Sequence, residues 1–228
     1  MGEIELCDLI EKIPFLDDLD ISHCEIEEDK QNAPTKKRKK NKSLLSLSLP
    51  HAKISNKSLS SLLSLTPKLL SLNISNIPLD ENSMTSVCQL ERIESLNISY
   101  TSESALAHSF LSLQLSNNEK LFKNLVHLNL SQNPFITDQV MEMIVKRATL
   151  LNTLHLSNCI LLTDSTVSCL QESSSPIILL SVTATQITKK KALELFSKRP
   201  HLLIHCTNSW DNRGVLSFIS AERGSEQN

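Results

Sequence analysis

Apolar residues recur along the chain in the order apolar-x-x-apolar-x-apolar, and the x positions between them are mostly polar. The clearest copies are LVHLNLSQNPFITD, which begins at Leu125, and LNTLHLSNCILLTD, which begins at Leu151. The alternation within each copy predicts a short strand with one buried side. A single unit of this kind cannot bury its own apolar side, so it must stack on further copies of itself.

The pattern occurs eight times, and the last apolar positions of successive copies lie 24 to 32 residues apart. The copies are Leu16/Leu19/Ile21, Leu44/Leu47/Leu49, Leu69/Leu72/Ile74, Ile93/Leu96/Ile98, Leu125/Leu128/Leu130, Leu151/Leu154/Leu156, Ile177/Leu180/Val182 and the weaker His201/Ile204/Cys206. This period fits a unit of one strand and one return helix. We therefore predict a ladder of parallel strands over residues 16–209, in which the middle apolar residues form one buried file.

Helix signals lie between the strands. Thr137 and Thr163 precede acids and then apolar residues at helical spacing, which is typical of a helix N-cap with a favourably placed carboxylate. The same interpretation covers residues 58–65, 80–90 and 188–196. The chain ends predict caps over the open core: a short helix within residues 1–15, and a C-terminal cap and tail over residues 210–228, with Trp210 and Phe218 among the covering side chains.

Two segments interrupt the period. Residues 27–42, EEDKQNAPTKKRKKNK, have almost no apolar content and predict a mobile basic loop. Residues 101–124 predict an enlarged convex segment. They contain a strand-like stretch, Leu113 to Asn118, that lies too close to both neighbouring strands to be a repeat of its own.

A turn position follows each strand, three residues after the last apolar position. It is occupied by Cys24, Ala52, Ile77, Thr101, Asn133, Cys159, Thr185 and Ser209. A buried Asn, Cys or Thr at such a turn can hydrogen-bond backbone groups that the turn leaves without partners. We favour this interpretation of Cys159 over a role as ligand or nucleophile, because a free cysteine is mostly a small buried hydrophobe.

The LxxLxLSxC pattern followed by (I/L)TD is best developed from Leu125 to Leu170. It resembles the cysteine-containing class of leucine-rich repeats and, more broadly, the ribonuclease-inhibitor type. The resemblance implies an α/β leucine-rich repeat solenoid, a right-handed β-α superhelix with a curved parallel sheet and helices on its convex side. That class is typical of the substrate-binding halves of F-box proteins, which implies substrate recognition in a ubiquitin ligase as one function. An F-box of about 45 residues does not fit ahead of Leu16, so we expect none.

Charge is balanced over the chain, with a net value of −2, which argues against a chain built as a whole to bind nucleic acid. The exception is the run Lys36, Lys37, Arg38, Lys39 and Lys40. It resembles a monopartite nuclear import signal, which implies importin as a partner and a nuclear location, with a cytoplasmic pool as the alternative. A solvated charge run and phosphate binding to RNA are the other two interpretations.

Other features point to an intracellular protein. The six cysteines are scattered and form no Cys-x-x-Cys pair, which favours reduced thiols over a disulfide framework. The N-terminal stretch lacks the basic and apolar regions of a signal peptide, and no apolar run approaches the ~18 residues of a membrane span.

Catalysis finds no support in the sequence. The chain has 3 glycines and no Gly-rich phosphate loop, no nucleophile elbow and no metal-ligand spacing. We therefore predict a non-catalytic adaptor, without a cofactor, that binds a protein or peptide on its concave sheet face.

The outward positions of the strands supply the residues of that face. Candidate contact residues are Asp18, Asp20, Asn73, Asn97, His127, Asn129, Thr153, His155 and His205. The alternative interpretation is that these recurring small polar residues serve the packing of the repeat itself.

Overall fold

The computed structural model describes residues 2–27, 39–101, 110, 121–206 and 218–219. Eight three-residue strands lie parallel in one sheet, in the order of the chain. They are β1 (Asp18–Asp20), β2 (Ser46–Ser48), β3 (Ser71–Asn73), β4 (Ser95–Asn97), β5 (His127–Asn129), β6 (Thr153–His155), β7 (Leu179–Ser181) and β8 (Leu203–His205). A ninth strand, β9 (Phe218–Ile219), pairs antiparallel with β8 and covers its edge.

The middle apolar residues form the predicted file. The strand register aligns Leu19, Leu47, Leu72, Leu96, Leu128, Leu154, Leu180 and Ile204. From Leu47 onward each is at most 1% exposed, whereas Leu19 on the outermost strand is only partly buried. The prediction of one aligned inward file is therefore confirmed.

Six helices are described: α1 (Glu3–Lys12), α2 (Asn56–Leu65), α3 (Glu81–Cys88), α4 (Asp138–Arg147), α5 (Asp164–Glu172) and α6 (Lys189–Lys198). Thr137, Thr163 and Thr188 are the N-caps of α4, α5 and α6, and each side chain accepts a hydrogen bond from the first turn. These N-cap predictions are confirmed. Helix α2 begins before the predicted residue 58, because Ser55 caps it and Asn56 is its first residue.

The eighth repeat departs from its predicted pattern. His201, the expected first apolar position, is exposed, and Leu202 is only 1% exposed. An imidazole is a poor substitute for leucine in a file of aliphatic side chains, so the neighbouring leucine is buried instead. The prediction for His201 is wrong.

The N-terminal helix is joined to the solenoid by Asn41. This side chain is 5% exposed and donates to the carbonyl oxygens of Ile10 at 2.7 Å and Ile13 at 3.2 Å. Its Oδ1 accepts from the backbone N–H groups of Ser43 and Leu44. Asn41 is thus part of the folded structure, although the sequence places it in the basic loop, because its amide satisfies backbone groups where α1 ends.

The remaining predicted segments lie mostly outside the described residues. These are residues 28–38 of the basic loop, residues 102–109 and 111–120 of the insertion with its Leu113 to Asn118 stretch, and residues 207–217 and 220–228 with Trp210 and Ser209. Strand β4 pairs directly with β5, so the sheet continues across the insertion without a strand between them. Phe110 and Phe122 are buried there with ring centroids 5.9 Å apart.

Carboxylates at the helix starts link neighbouring repeats. Asp138, the first residue of α4, accepts from the backbone N–H of Thr163 at 3.0 Å and from its hydroxyl at 2.6 Å. It also accepts from the N–H of Thr166 at 3.2 Å. Asp164 contacts Thr188 of the next repeat in the same way, at 2.7 and 2.9 Å. Each Thr-Asp pair therefore caps its own helix with the threonine and supports the next helix with the aspartate.

The inward file gives a direct test of the register. Leu154→Asp places an unpaired charge at a fully buried position, so we expect it to unfold the neighbouring repeats and to lower the melting temperature sharply. The matched control is His127→Asp, which puts the same charge at an exposed position of the adjacent strand. If circular dichroism gives the same melting temperature for the two variants, the assigned register is wrong.

The carboxylate links give a test with a defined pH dependence. Burial raises the pKa of Asp138, but the hydrogen bonds from Thr163 and Thr166 outweigh it, so its pKa lies below the ordinary value. The stabilisation is then present above the unfolded-state pKa of about 3.9 and is lost as pH falls through the lower folded-state pKa. At neutral pH we expect Asp138→Ala to reduce the free energy of unfolding by about 2 kcal/mol in urea titrations.

Asp164→Ala is the control for that variant, because the contacts of Asp164 are exposed to solvent and its loss costs less. The difference between Asp138→Ala and the parent should shrink in acid. A difference that stays constant into acid would contradict a role for the ionised carboxylate.

Candidate functional site

The outward side chains of the strands form three columns on the concave face. The first column is Asp18, Ser46, Ser71, Ser95, His127, Thr153, Leu179 and Leu203, and the central column is Asp20, Ser48, Asn73, Asn97, Asn129, His155, Ser181 and His205. The third column, just past the strands, is Ser22, Pro50, Ser75, Ser99, Ser131, Ser157 and Thr183. The structure thus brings all nine candidate contact residues to one face, while it leaves their role untested.

The central asparagines are held by the backbone just after each strand. The Oδ1 atoms of Asn73, Asn97 and Asn129 accept from the N–H of the serine two residues later, at 3.2, 3.1 and 3.0 Å. Such Asx turns explain why Asn-x-Ser recurs in these repeats. No described residue accepts a hydrogen bond from the three Nδ2 groups. The face therefore presents a row of oriented amide donors.

The turn position behaves as predicted in the central repeats. Asn133 is buried and its Nδ2 donates to the carbonyls of Ile98 and Leu130 at 2.8 and 2.9 Å, so one side chain serves two repeats. Cys159 is buried with its Sγ 3.1 Å from the Leu130 carbonyl, and burial raises the pKa of its thiol to about 12. A thiol in this environment is a poor nucleophile, which confirms the turn interpretation of Cys159.

Opposite ends of the concave face carry different chemistry. Asp18 and Asp20 on β1 are exposed carboxylates, and the hydrogen bonds from Ser22 lower the pKa of Asp20. On β5 and β6, the Nδ1 of His127 lies 2.7 Å from the hydroxyl of Thr153, and His155 is half-buried. On β8, the Nδ1 of His205 lies 3.3 Å from Ser181 Oγ. The face is thus acidic at its first strand and carries imidazoles on β5, β6 and β8.

Exposed apolar residues on this face were not among the predicted contact residues. Leu203 in the first column is 48% exposed, and Ile178, which precedes β7, is 46% exposed. Leu179 in the same column is partly exposed. The signal in the sequence was a leucine at two outward positions where earlier repeats have Asp, Ser, His or Thr.

A rim lies beside the concave face, at the carboxyl ends of the strands. One residue per repeat adopts a left-handed backbone there, with φ between 53° and 63°, and none of them is glycine. These residues are His23, His51, Asn76, Tyr100, Gln132, Asn158 and Ala184. The rings of His23 and His51 stack with centroids 4.8 Å apart, and His51 Nδ1 lies 2.7 Å from Asn76 Nδ2.

No protein-family model matches the chain, and no curated protein matches it. Among solved structures, the crystal structure of human 5T4 (Wnt-activated inhibitory factor 1, trophoblast glycoprotein) is similar, with a TM-score of 0.53 at 17% sequence identity. The match covers 73% of this chain and 61% of that chain. The chain folds as an α/β leucine-rich repeat solenoid. At this identity the likeness concerns the fold alone.

The described part of the solenoid contains neither a metal-binding cluster nor a membrane-spanning helix. No group of three or more His, Cys, Asp or Glu side chains is placed to hold a metal ion within those residues. None of the described helices is both long and apolar enough to span a bilayer.

The predicted import signal is only partly within the described residues. Lys36, Lys37 and Arg38 lie outside them, and Lys39 and Lys40 are exposed.

Proposed function

We propose that the solenoid is a non-catalytic scaffold whose protein or peptide partner binds on the concave sheet face. The observation that carries the proposal is the continuous register of eight parallel strands, which aligns the polar outward residues into columns whose members are mostly partly exposed. With strands about 4.8 Å apart, the face is roughly 35 Å long. That length suits a standard interface of about 800 Å² per partner.

The amide row gives this face a chemical preference. The Oδ1 atoms of Asn73, Asn97 and Asn129 already accept from backbone N–H groups. The Nδ2 group of each side chain remains as a hydrogen-bond donor for a partner. Donors in a row suit the backbone carbonyls or carboxamides of an extended segment. Serines on either side are small enough to let that segment approach the sheet.

We further propose that the protein acts in the nucleus, with importin bound to Lys36, Lys37, Arg38, Lys39 and Lys40. The exposure of Lys39 and Lys40 supports this, because an import receptor needs access to the basic side chains. Recognition of substrates in a ubiquitin ligase is the alternative role and rests on the resemblance to cysteine-containing repeats. Co-purification with a cullin adaptor would favour that alternative.

Blocking the amide row tests the scaffold role. Asn97→Arg removes the central donor and fills the middle of the face with a long charged side chain, so we expect partner capture in crosslinking pulldowns to fall at least about tenfold, a loss of ~1.4 kcal/mol. Gln139→Arg, an exposed position on α4, is the matched control and should capture normally. Equal capture by both variants would argue against the concave face.

The basic run gives a second test. With its five basic residues changed to Gln, a fusion to a carrier too large for passive diffusion should stay in the cytoplasm, because the receptor loses its charge contacts. Unchanged nuclear signal by microscopy would dismiss the import assignment. The RNA alternative would instead be favoured if the parent binds RNA with a steep salt dependence that the Gln variant loses.

A further inference from the structure

Two imidazoles lie close together on the C-terminal half of the concave face. His127 is in the first column of β5, and His155 is in the central column of the adjacent β6. Strands are about 4.8 Å apart and alternate residues about 6.6 Å apart, so their backbone positions are roughly 8 Å apart. A third imidazole, that of His205, lies two strands beyond His155 in the same column.

The groups that surround His155 are neutral or cationic. Strand β5 and the turn after it contribute His127, Asn129 and Ser131. Strand β7 and the turn after it contribute Leu179, Ser181 and Thr183. Strand β8 contributes His205. The described concave columns of β5 to β8 contain no Asp, Glu, Lys or Arg. When His155 is protonated, the described residues of this face offer it no carboxylate.

The electrostatics follow from that arrangement. Burial lowers the pKa of His155 below its ordinary value, and the charges of His127 and His205 lower it further. The charged form is thus opposed by the solenoid itself. A partner carboxylate within about 6 Å would favour the charged form instead.

An apolar strip lies beside the imidazoles. Leu179 and Leu203 continue the first column past Thr153, and Ile178 directly precedes Leu179. Leu203 and Ile178 are exposed, and Leu179 is partly exposed. Exposed aliphatic side chains flanked by polar groups are typical of an interaction surface. The combination is absent from β1 to β4, whose first column is Asp18 and three serines.

We infer that this half of the face anchors a partner segment in which apolar side chains alternate with carboxylates, and that the anchor tightens as pH falls. The inference rests on the proposed scaffold function and names the chemical class of its partner. Leu179 and Leu203 pack against the apolar side chains, and His127 and His155 pair with the carboxylates.

The direction of the pH dependence follows from linkage. A bound carboxylate raises the proton affinity of His155, so binding takes up protons. Affinity therefore rises as pH falls, until the pH is below the pKa of the unbound His155, which is lower than the ordinary value of about 6.5. The partner carboxylates stay ionised down to about pH 4, so the gain in affinity builds up between about pH 6.5 and pH 4.

Short fluorescein-labelled peptides test the anchor. One probe repeats Leu-Asp-Leu-Glu, and its matched control repeats Leu-Asn-Leu-Gln, which keeps the shape and removes the charge. In fluorescence anisotropy at constant ionic strength, we expect the acidic peptide to bind at least about tenfold tighter near pH 5.5 than near pH 8, on either side of the histidine pKa. The amide peptide should show no pH dependence.

Variants assign the effect to the two imidazoles. His127→Gln/His155→Gln should bind the acidic peptide equally at both pH values, while His201→Gln, the same change at an exposed residue outside the columns, should keep the pH dependence. If the double variant melts early, His127→Gln alone at its exposed position should still reduce the dependence. An NMR titration of the parent gives a readout that needs no variant: the acidic peptide should raise the pKa of His155.

Three results would overturn the inference. The acidic and amide peptides could bind with equal affinity at low pH, or the double variant could retain the pH dependence. A short single-stranded RNA could also perturb the imidazole NMR signals more than the acidic peptide does. Failure of the scaffold itself is distinguishable. Partner capture that is insensitive to Asn97→Arg counts against the concave face. Capture that is lost in Asn97→Arg but unchanged by pH and by the histidine variants leaves the scaffold in place and removes only the acidic-partner inference.

Discussion

The structure depends on the stacking of one aliphatic residue per repeat across neighbouring parallel strands. A three-residue strand has too few hydrogen bonds to be stable alone, and each leucine of the file is buried only because the next repeat covers it. Full burial of such a side chain contributes roughly 1.5–3 kcal/mol. That stabilisation belongs to the contact between repeats rather than to either repeat. The same register that buries the leucines also aligns the outward residues, so the binding face is a consequence of the core.

Polar groups fix the spacing that the aliphatic file requires. At the turns, Asn133 reaches back to Ile98 of the preceding repeat, and at the helix starts Asp138 reaches forward to Thr163 and Thr166. A buried donor or acceptor left without a partner costs about 1–3 kcal/mol, so these cross-repeat bonds penalise any slip of one repeat against the next. Apolar contacts are not directional, whereas the hydrogen bonds of the buried Asn133 amide and the half-buried Asp138 carboxylate are.

Periodicity alone was enough to predict the strands, the inward file and the threonine caps, because each depends on residues close in sequence or on a spacing that repeats. Periodicity could not predict contacts between residues that are distant in sequence. Asn41 looked like part of a charged loop, and only its position beside the end of α1 explains its burial. Asp138 was expected at the start of its own helix, yet its partners lie one repeat later.

The candidate face was also predicted only in part from the sequence. The columns followed from alternation along the strands, but the Asx turns of Asn73, Asn97 and Asn129 depend on backbone geometry after each strand, which a residue pattern does not specify. Alternation also places Leu203 at an outward position, but it was left out of the candidate contact residues because leucine elsewhere in the chain belongs to the core.

The left-handed residues of the rim have a consequence for how related chains could diverge. A non-glycine residue in this conformation costs about 1 kcal/mol, and the solenoid accepts that cost in repeat after repeat with side chains as different as His51, Tyr100 and Ala184. The backbone conformation is therefore constant along the rim while the side chain varies from repeat to repeat. Substitutions can accumulate along this edge without altering the sheet, whereas the neighbouring columns are tied to strand geometry. The two adjoining surfaces are expected to evolve at different rates, so a family of such proteins could keep one binding groove and acquire new contacts beside it.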